Sequence, residues 1–136
     1  LEDWADESLY FYEMTMRFTW KHDRKQWVNE ILKYDNAFMQ QLGKLVVPYL
    51  TKKQGREQGI AKRSESDVLN ELTKHLNAIA TLVSNGFMVG DNLTIADIAL
   101  ASQVECLYGC SQAKPLIDAQ PNILSWLAKV QELTAR

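Results

Sequence analysis

The stretch at residues 90–100, GDNLTIADIAL, decides the fold because it contains the parts of a strong helix start. Asp97 follows Thr94 by three residues, so the threonine side chain can accept from the Asp97 amide while the carboxylate reaches back to the Thr94 amide. Leu93 and Ile98 are spaced to pack on each other as a hydrophobic staple. A carboxylate used in this way faces backbone rather than a substrate. We therefore predict that Asp97 is structural and not catalytic.

Helical patterns extend over almost the whole chain on both sides of this stretch, and no strand pattern is present. The predicted helices run from Leu1 to about Trp20, from Gln26 to about Lys53, from the cap at Ser64 to Ser84-Asn85-Gly86, from Thr94 to near Gly109, and onward from Pro121. Pro48 is expected to kink the second helix or end it near Val47, because proline lacks the amide hydrogen that a helix interior uses. The sequence therefore predicts an all-α helical bundle of about five main helices.

Length and composition indicate one globular domain over residues 1–136. The chain has 136 residues, 46% of them hydrophobic, and a net charge of −2. Proteins that bind nucleic acid by its phosphates usually carry a basic excess, so we expect no nucleic-acid partner. The sequence does contain one basic cluster, which we interpret as a solvated loop around Gly55 and Gly59. Its members are Lys52, Lys53, Arg56, Lys62 and Arg63.

The sequence contains neither a membrane span nor a metal motif. No apolar run approaches the ~20 residues that a spanning helix needs, and no leader pattern is recognisable, so we expect none. We therefore expect no membrane partner and a soluble, cytoplasmic protein. Cys106 and Cys110 lie one helical turn apart, and the histidines His22 and His75 are distant in sequence, so we predict free thiols and no metal site. A redox pair is the less favoured alternative.

The helix order, the stretch at 90–100 and the closing segment QPNILSWLAKVQEL together resemble the C-terminal domain of glutathione transferases. In that family one helix begins with a hydrophobic residue, Ser or Thr, two variable residues and Asp, and the last helix has a Pro-x-hydrophobic-x-x-Trp pattern. The matching residues here are Leu93, Thr94 and Asp97, then Pro121, Ile123 and Trp126. The opening Trp4-Ala5-Asp6 also resembles the first helix of this domain. The resemblance covers essentially the whole chain.

The resemblance implies a partner domain that is not found in this sequence. In the family, an upstream thioredoxin-like domain holds glutathione and supplies the side chain that activates its thiol. We therefore expect the chain to be a piece of a longer protein that uses glutathione as co-substrate, with no catalytic residue and no cofactor in this piece. No other catalytic set is recognisable in the sequence.

Glu7, Tyr10, Phe11 and Met14 fall at helical spacings of i, i+3, i+4 and i+7, and so share one face of the first helix. The resemblance implies that this face forms a wall of the pocket for a hydrophobic electrophile. The alternative is that the same face packs in the core or against the upstream domain.

The resemblance also implies a homodimer formed by the first two helices. Two other functions remain open. Domains of this kind serve as non-catalytic interaction modules in translation factors and aminoacyl-tRNA synthetases, and a free-standing helical domain can bind an apolar ligand.

Overall fold

Every regular element is helical within residues 9–57 and 59–135, the part of the chain that the computed structural model describes. The helices are α1 (Tyr10–Met14), α2 (Arg24–Leu32), α3 (Ala37–Glu57), α4 (Glu65–Leu82), α5 (Ile95–Tyr108), α6 (Lys114–Asp118) and α7 (Pro121–Thr134). A π-helical segment, Thr15–Thr19, continues α1, and the 3-10 turns Ile60–Lys62 and Val83–Asn85 follow α3 and α4. The predicted all-α class is confirmed.

The second predicted helix is in fact two helices, α2 and α3, so the prediction of one helix from Gln26 to about Lys53 was wrong. The side chain of Asn36 accepts a hydrogen bond from the Met39 amide at 3.0 Å and thereby caps α3. Gly43 permits the two helices to approach closely, because a Cβ there would lie 2.6 Å from a methyl carbon of Leu32. The periodicity of the apolar residues did not reveal this break, because it depends on their spacing and not on the preference of asparagine for capping positions.

Pro48 does not end α3, which continues to Glu57. The turns after the proline pack beside the Ile60–Lys62 segment, where Thr51 and Gly55 are buried, and this tertiary packing outweighs the lost hydrogen bond. The Thr51 hydroxyl also donates to the Val47 carbonyl at 2.9 Å. The prediction of a solvated loop in this region was therefore wrong for its first half. Three cations of the basic cluster are exposed on α3 itself: Lys52, Lys53 and Arg56.

The buried side chains form one large and one small cluster. The large cluster joins α1 with α4, α5, α6 and α7; its fully buried members include Leu72, Leu76, Leu100, Leu107, Ile117 and Trp126. The small cluster contains Phe18, Val28 and Leu32, with Met14, Trp27 and Val47 packed against it. The first helical segment therefore contributes to both clusters, while α2 and α3 are held mainly by the small one.

The helix starts at α4 and α7 agree with the sequence. Ser64 caps α4 by accepting from the Asp67 amide at 3.1 Å, and Pro121 occupies the first turn of α7. Most of the apolar stripe that begins in α4 is buried, including Leu72, Ile79 and Val83, whereas Leu82 is about half exposed. These starts were predictable because caps act over only a few residues.

Asp97 lies at the start of α5 and is completely buried. Its Oδ2 accepts hydrogen bonds from the amide and the hydroxyl of Thr94, at 3.0 and 2.6 Å, within a capping box. Its Oδ1 accepts from the Met88 amide at 2.8 Å and from the Trp126 indole at 2.9 Å. One carboxylate thus ties the connector before α5, the first turn of α5 and the middle of α7 together.

The hydrophobic residues that flank the cap differ in burial. Leu93 packs against the large cluster, whereas Ile98 is 45% exposed. The staple between Leu93 and Ile98 therefore stays a prediction, while the core itself holds Leu93.

Two opposing effects act on the pKa of Asp97. Burial raises it, but the hydrogen bonds from Thr94, Met88 and Trp126 together outweigh burial and lower the pKa below its ordinary value of 3.8. The ionised carboxylate is therefore the form that the fold stabilises.

We predict that Asp97→Ala destabilises the chain by about 3 kcal/mol and Thr94→Ala by about 1 kcal/mol. The first change leaves several buried donors without an acceptor, whereas the second removes one cap. Chemical denaturation measures both values. Asp91→Ala removes an exposed carboxylate six residues earlier and serves as the control, with little expected change. A value for Asp97→Ala equal to that of the control would contradict the structural role.

A second prediction concerns the stability of the fold at acidic pH. Because its folded pKa is depressed, Asp97 contributes its full stability above its unfolded pKa, near 3.8, and loses that contribution as the pH falls through the folded value. We expect the stability difference between the wild type and Asp97→Asn to be constant near neutral pH and to shrink below about pH 4. The contributions of the other carboxylates to stability cancel in this difference. A constant difference down to pH 2 would show that the charge of Asp97 is not what the fold uses.

Candidate functional site

The predicted substrate face on α1 is partly open. The Tyr10 side chain is 37% exposed, and its ring meets that of Phe11 edge-on, with centroids 5.3 Å apart. Phe11 and Met14 are half-buried, and Met14 packs against the small cluster. Glu7, the fourth predicted member, lies outside the described residues. The structure therefore brings Tyr10 and Phe11 together at the surface and gives Met14 a packing contact as well.

A polar cluster that the sequence did not predict lies between α1, α2 and α5. Glu13 is buried, with only 7% of its surface exposed, and its carboxylate lies 2.8 Å from the Arg17 guanidinium. Arg17 also donates to the Cys106 carbonyl at 2.6 Å and stacks 3.8 Å above the ring of Trp27. Arg17 belongs to the π-helical segment and thus ties that segment to two other helices.

Gly109, at the end of α5, allows this cluster to form. A Cβ there would lie 3.1 Å from the Trp27 ring and 3.3 Å from the Arg17 guanidinium. The i, i+4 spacing of Glu13 and Arg17 is a sequence signal that usually indicates an exposed helix pair. The contacts from Arg17 to α5 join residues 89 positions apart, so no local pattern indicates them.

The environment of the cluster raises the pKa values of its acidic groups. Burial raises the pKa of Glu13, although the Arg17 guanidinium lowers it in part. Burial likewise raises the pKa of the Cys110 thiol to about 11, and it raises that of Cys106. Both cysteines are free, as predicted. Neither is poised as a thiolate nucleophile, which argues against the redox alternative.

The cluster has the character of a structural junction. Two of its buried polar atoms, Arg17 Nε and Trp27 Nε1, lack a hydrogen-bond partner in the described part of the chain. Within that part, no group of three or more His, Cys, Asp or Glu side chains could hold a metal ion. None of the described helices has both the length and the apolar character to cross a membrane.

The comparison with protein families identifies the class of this fold. The family described as "Glutathione S-transferase, C-terminal domain" matches residues 40–135, which include the Thr94–Asp97 cap and the tryptophan that it binds on α7. The chain belongs to this family. Neither a curated protein nor a solved structure matches it.

We predict that Arg17→Met destabilises the chain by about 3 kcal/mol, because it leaves the buried Glu13 carboxylate without a partner. Glu13→Gln should cost much less. The folded pKa of Glu13 is raised, so the fold favours the protonated carboxyl. The contribution of Glu13 to the stability of the fold is therefore fully present below its unfolded pKa and is lost as the pH rises through the folded pKa. At pH 7 the negative charge itself adds no stability. The double variant should therefore recover part of the loss, which denaturation at pH 7 measures.

The exposed pair of Glu30 and Lys33 on α2 provides the control for this cycle. Lys33→Met should cost less than about 1 kcal/mol, as is usual for surface pairs. Strictly additive effects of the two changes at Glu13 and Arg17 would contradict the coupling.

Proposed function

We propose that this chain is the helical substrate-binding and dimerisation domain of a glutathione transferase-like protein, whose parent joins glutathione to hydrophobic electrophiles. Membership of the family supports this proposal. The observation that carries the binding role is the open pair of aromatic rings on α1, at Tyr10 and Phe11. Aromatic faces of this kind bury large apolar area against a ligand. A cytoplasmic location stays a prediction from the sequence.

In this proposal the chemistry is divided between two domains. The thiolate of glutathione is the nucleophile, so the enzyme must lower the pKa of that thiol. We assign this task to an upstream thioredoxin-like domain, as the resemblance to glutathione transferases implies. The two thiols of the described chain have raised pKa values and are themselves unsuited to act as the nucleophile. The helical domain contributes the opposite wall, where Tyr10, Phe11 and Met14 contact the apolar electrophile.

The dimerisation role rests on apolar surface that the chain itself leaves uncovered. Ile31 and Tyr34, at the end of α2, are exposed, and the outward face of α3 carries further large apolar side chains. Contiguous apolar patches on soluble proteins usually mark interaction sites. We therefore propose that the chain forms a homodimer through α2 and α3, which together correspond to the second of the two helices that the resemblance implied.

The alternative is a non-catalytic protein-interaction module of the same fold. The exposed surface of α3 fits this alternative equally well, because such a surface serves assembly whether or not the parent is an enzyme. Activity of the complete protein separates the two functions.

We predict that, with a thioredoxin-like domain restored upstream, Phe11→Ala and Met14→Ala each raise the KM for a hydrophobic electrophile about three- to tenfold, since each removes about 1 kcal/mol of apolar contact. The KM for glutathione should stay nearly unchanged. Steady-state kinetics with each substrate varied in turn measures both values. The isolated chain sets the baseline, and we expect it to show no turnover above the uncatalysed rate.

Ile95→Ala, at an apolar position of α5 that is 71% exposed, is the matched control. Thermal melts accompany each variant because Met14 also packs against the small cluster. If the electrophile KM does not move while the dimer dissociates, these side chains serve assembly and the pocket assignment is wrong. A complete protein without any transferase activity would favour the interaction module.

A further inference from the structure

The outward face of α3 is apolar over most of its length. Its exposed side chains, between 39% and 76% accessible, are Phe38, Met39, Leu42, Leu45, Val46, Tyr49 and Leu50; we call them the α3 stripe. At 1.5 Å per residue the stripe is about 18 Å long. Single exposed apolar residues are normal on a protein surface, but seven on one helix are not.

The two ends of the stripe carry opposite charges. Asp35 lies two residues before the start of α3, whereas Lys52, Lys53 and Arg56 follow the stripe in the last two turns, with Glu57 after them. Asp35 and these three cations are exposed, and none of them forms a salt bridge within the described part of the chain. Asp35 and Lys53 are about 27 Å apart along the helix, so they cannot pair within one molecule.

We propose that a second copy of this chain covers the α3 stripe, with the two α3 helices antiparallel across a two-fold axis at the level of Lys44. The inference rests on the homodimer of the proposed function and specifies its surface and register. Leu42 then faces the partner's Val46, and Phe38 faces the partner's Leu50. At each end, Asp35 faces the partner's Lys53.

The charges at the two ends of the α3 stripe favour the antiparallel orientation of the two α3 helices. A parallel pair would place acidic end against acidic end and cationic end against cationic end, and it would align the two helix dipoles unfavourably. In the antiparallel pair Leu42 meets the partner's Val46, Phe38 meets the partner's Leu50 and Met39 meets the partner's Tyr49, while Leu45 lies next to the axis. Each of the two ends also gains an opposite-charge contact. Lys44 points to the other side of the helix by its spacing from Leu42 and Val46, and so it lies outside the interface.

The composition of the surface is that of a dimer interface. Standard interfaces bury about 800 Å² from each partner, with an apolar centre and a polar rim. The α3 stripe supplies the apolar centre, the exposed Ile31 and Tyr34 extend it, and the terminal charges form the rim.

The first test is a substitution at the centre of the stripe, followed by sedimentation equilibrium of the 136-residue chain. We expect Leu42→Glu to raise the dimer dissociation constant about 100-fold or more, since it buries two like charges near the axis. Ile95→Glu places the same charge on an apolar and still more exposed site of α5 and should leave the constant unchanged. Circular dichroism confirms that each variant is folded.

The second test reverses the charges at the ends. Asp35→Lys and Lys53→Asp should each weaken the dimer about tenfold, because the two-fold axis repeats each repulsion. The chain that carries both changes restores the opposite-charge contacts between molecules and should return to within about threefold of the wild type. Lys44→Glu, on the far side of α3, is the control and should have no effect.

The outcomes separate this inference from the homodimer itself. A chain that is monomeric at all concentrations, including when the upstream domain is restored, contradicts both. A dimer that Leu42→Glu leaves intact keeps the homodimer and overturns the α3 stripe as its surface. A dimer that Leu42→Glu dissociates, but in which the double reversal gives no rescue, overturns the antiparallel register.

Discussion

The fold depends on one buried carboxylate that has no unused acceptor site. An ionised aspartate offers about four lone-pair positions, and in Asp97 they receive two donors from Thr94, one from Met88 and one from Trp126. A buried charge is tolerated only when it is satisfied in this way. The start of α5, the connector from α4 and the indole of α7 therefore have to assemble together, and the large cluster forms around that junction.

The other junction of the molecule is built differently. Arg17 ties the π-helical segment to α5, but its Nε lacks a partner in the described residues, and the apolar cluster beside it contains only Phe18, Val28 and Leu32. Fewer buried contacts mean a lower free energy of local opening. The half of the domain that contains α2 and α3 is consequently the half that gains most from a contact outside the chain.

The sequence predicted those features whose causes are local. Ser64, Thr94 and Pro121 marked helix starts because a cap or a first-turn proline acts within one turn. The predictions that were wrong have non-local causes. The helix α3 continues beyond Pro48 because tertiary packing stabilises its later turns. The polar cluster at Arg17 was missed because its partner on α5 is distant in sequence. The predicted substrate face stays a prediction: Tyr10 and Phe11 are partly open, whereas Met14 packs against the small cluster, as the alternative of core packing expected.

Periodicity also could not tell which side of α3 faces the core. The bulky apolar residues of this region recur at helical spacing, and the structure exposes them. The reason lies on the opposite face, where four residues at i, i+4 spacing have small or compact side chains: Gly43, Val47, Thr51 and Gly55. Small side chains let a helix approach its neighbours closely, as Gly43 does against Leu32. Because the close contact uses the compact face, the bulky face must point outward, and a helix with two apolar faces needs a second partner to cover it.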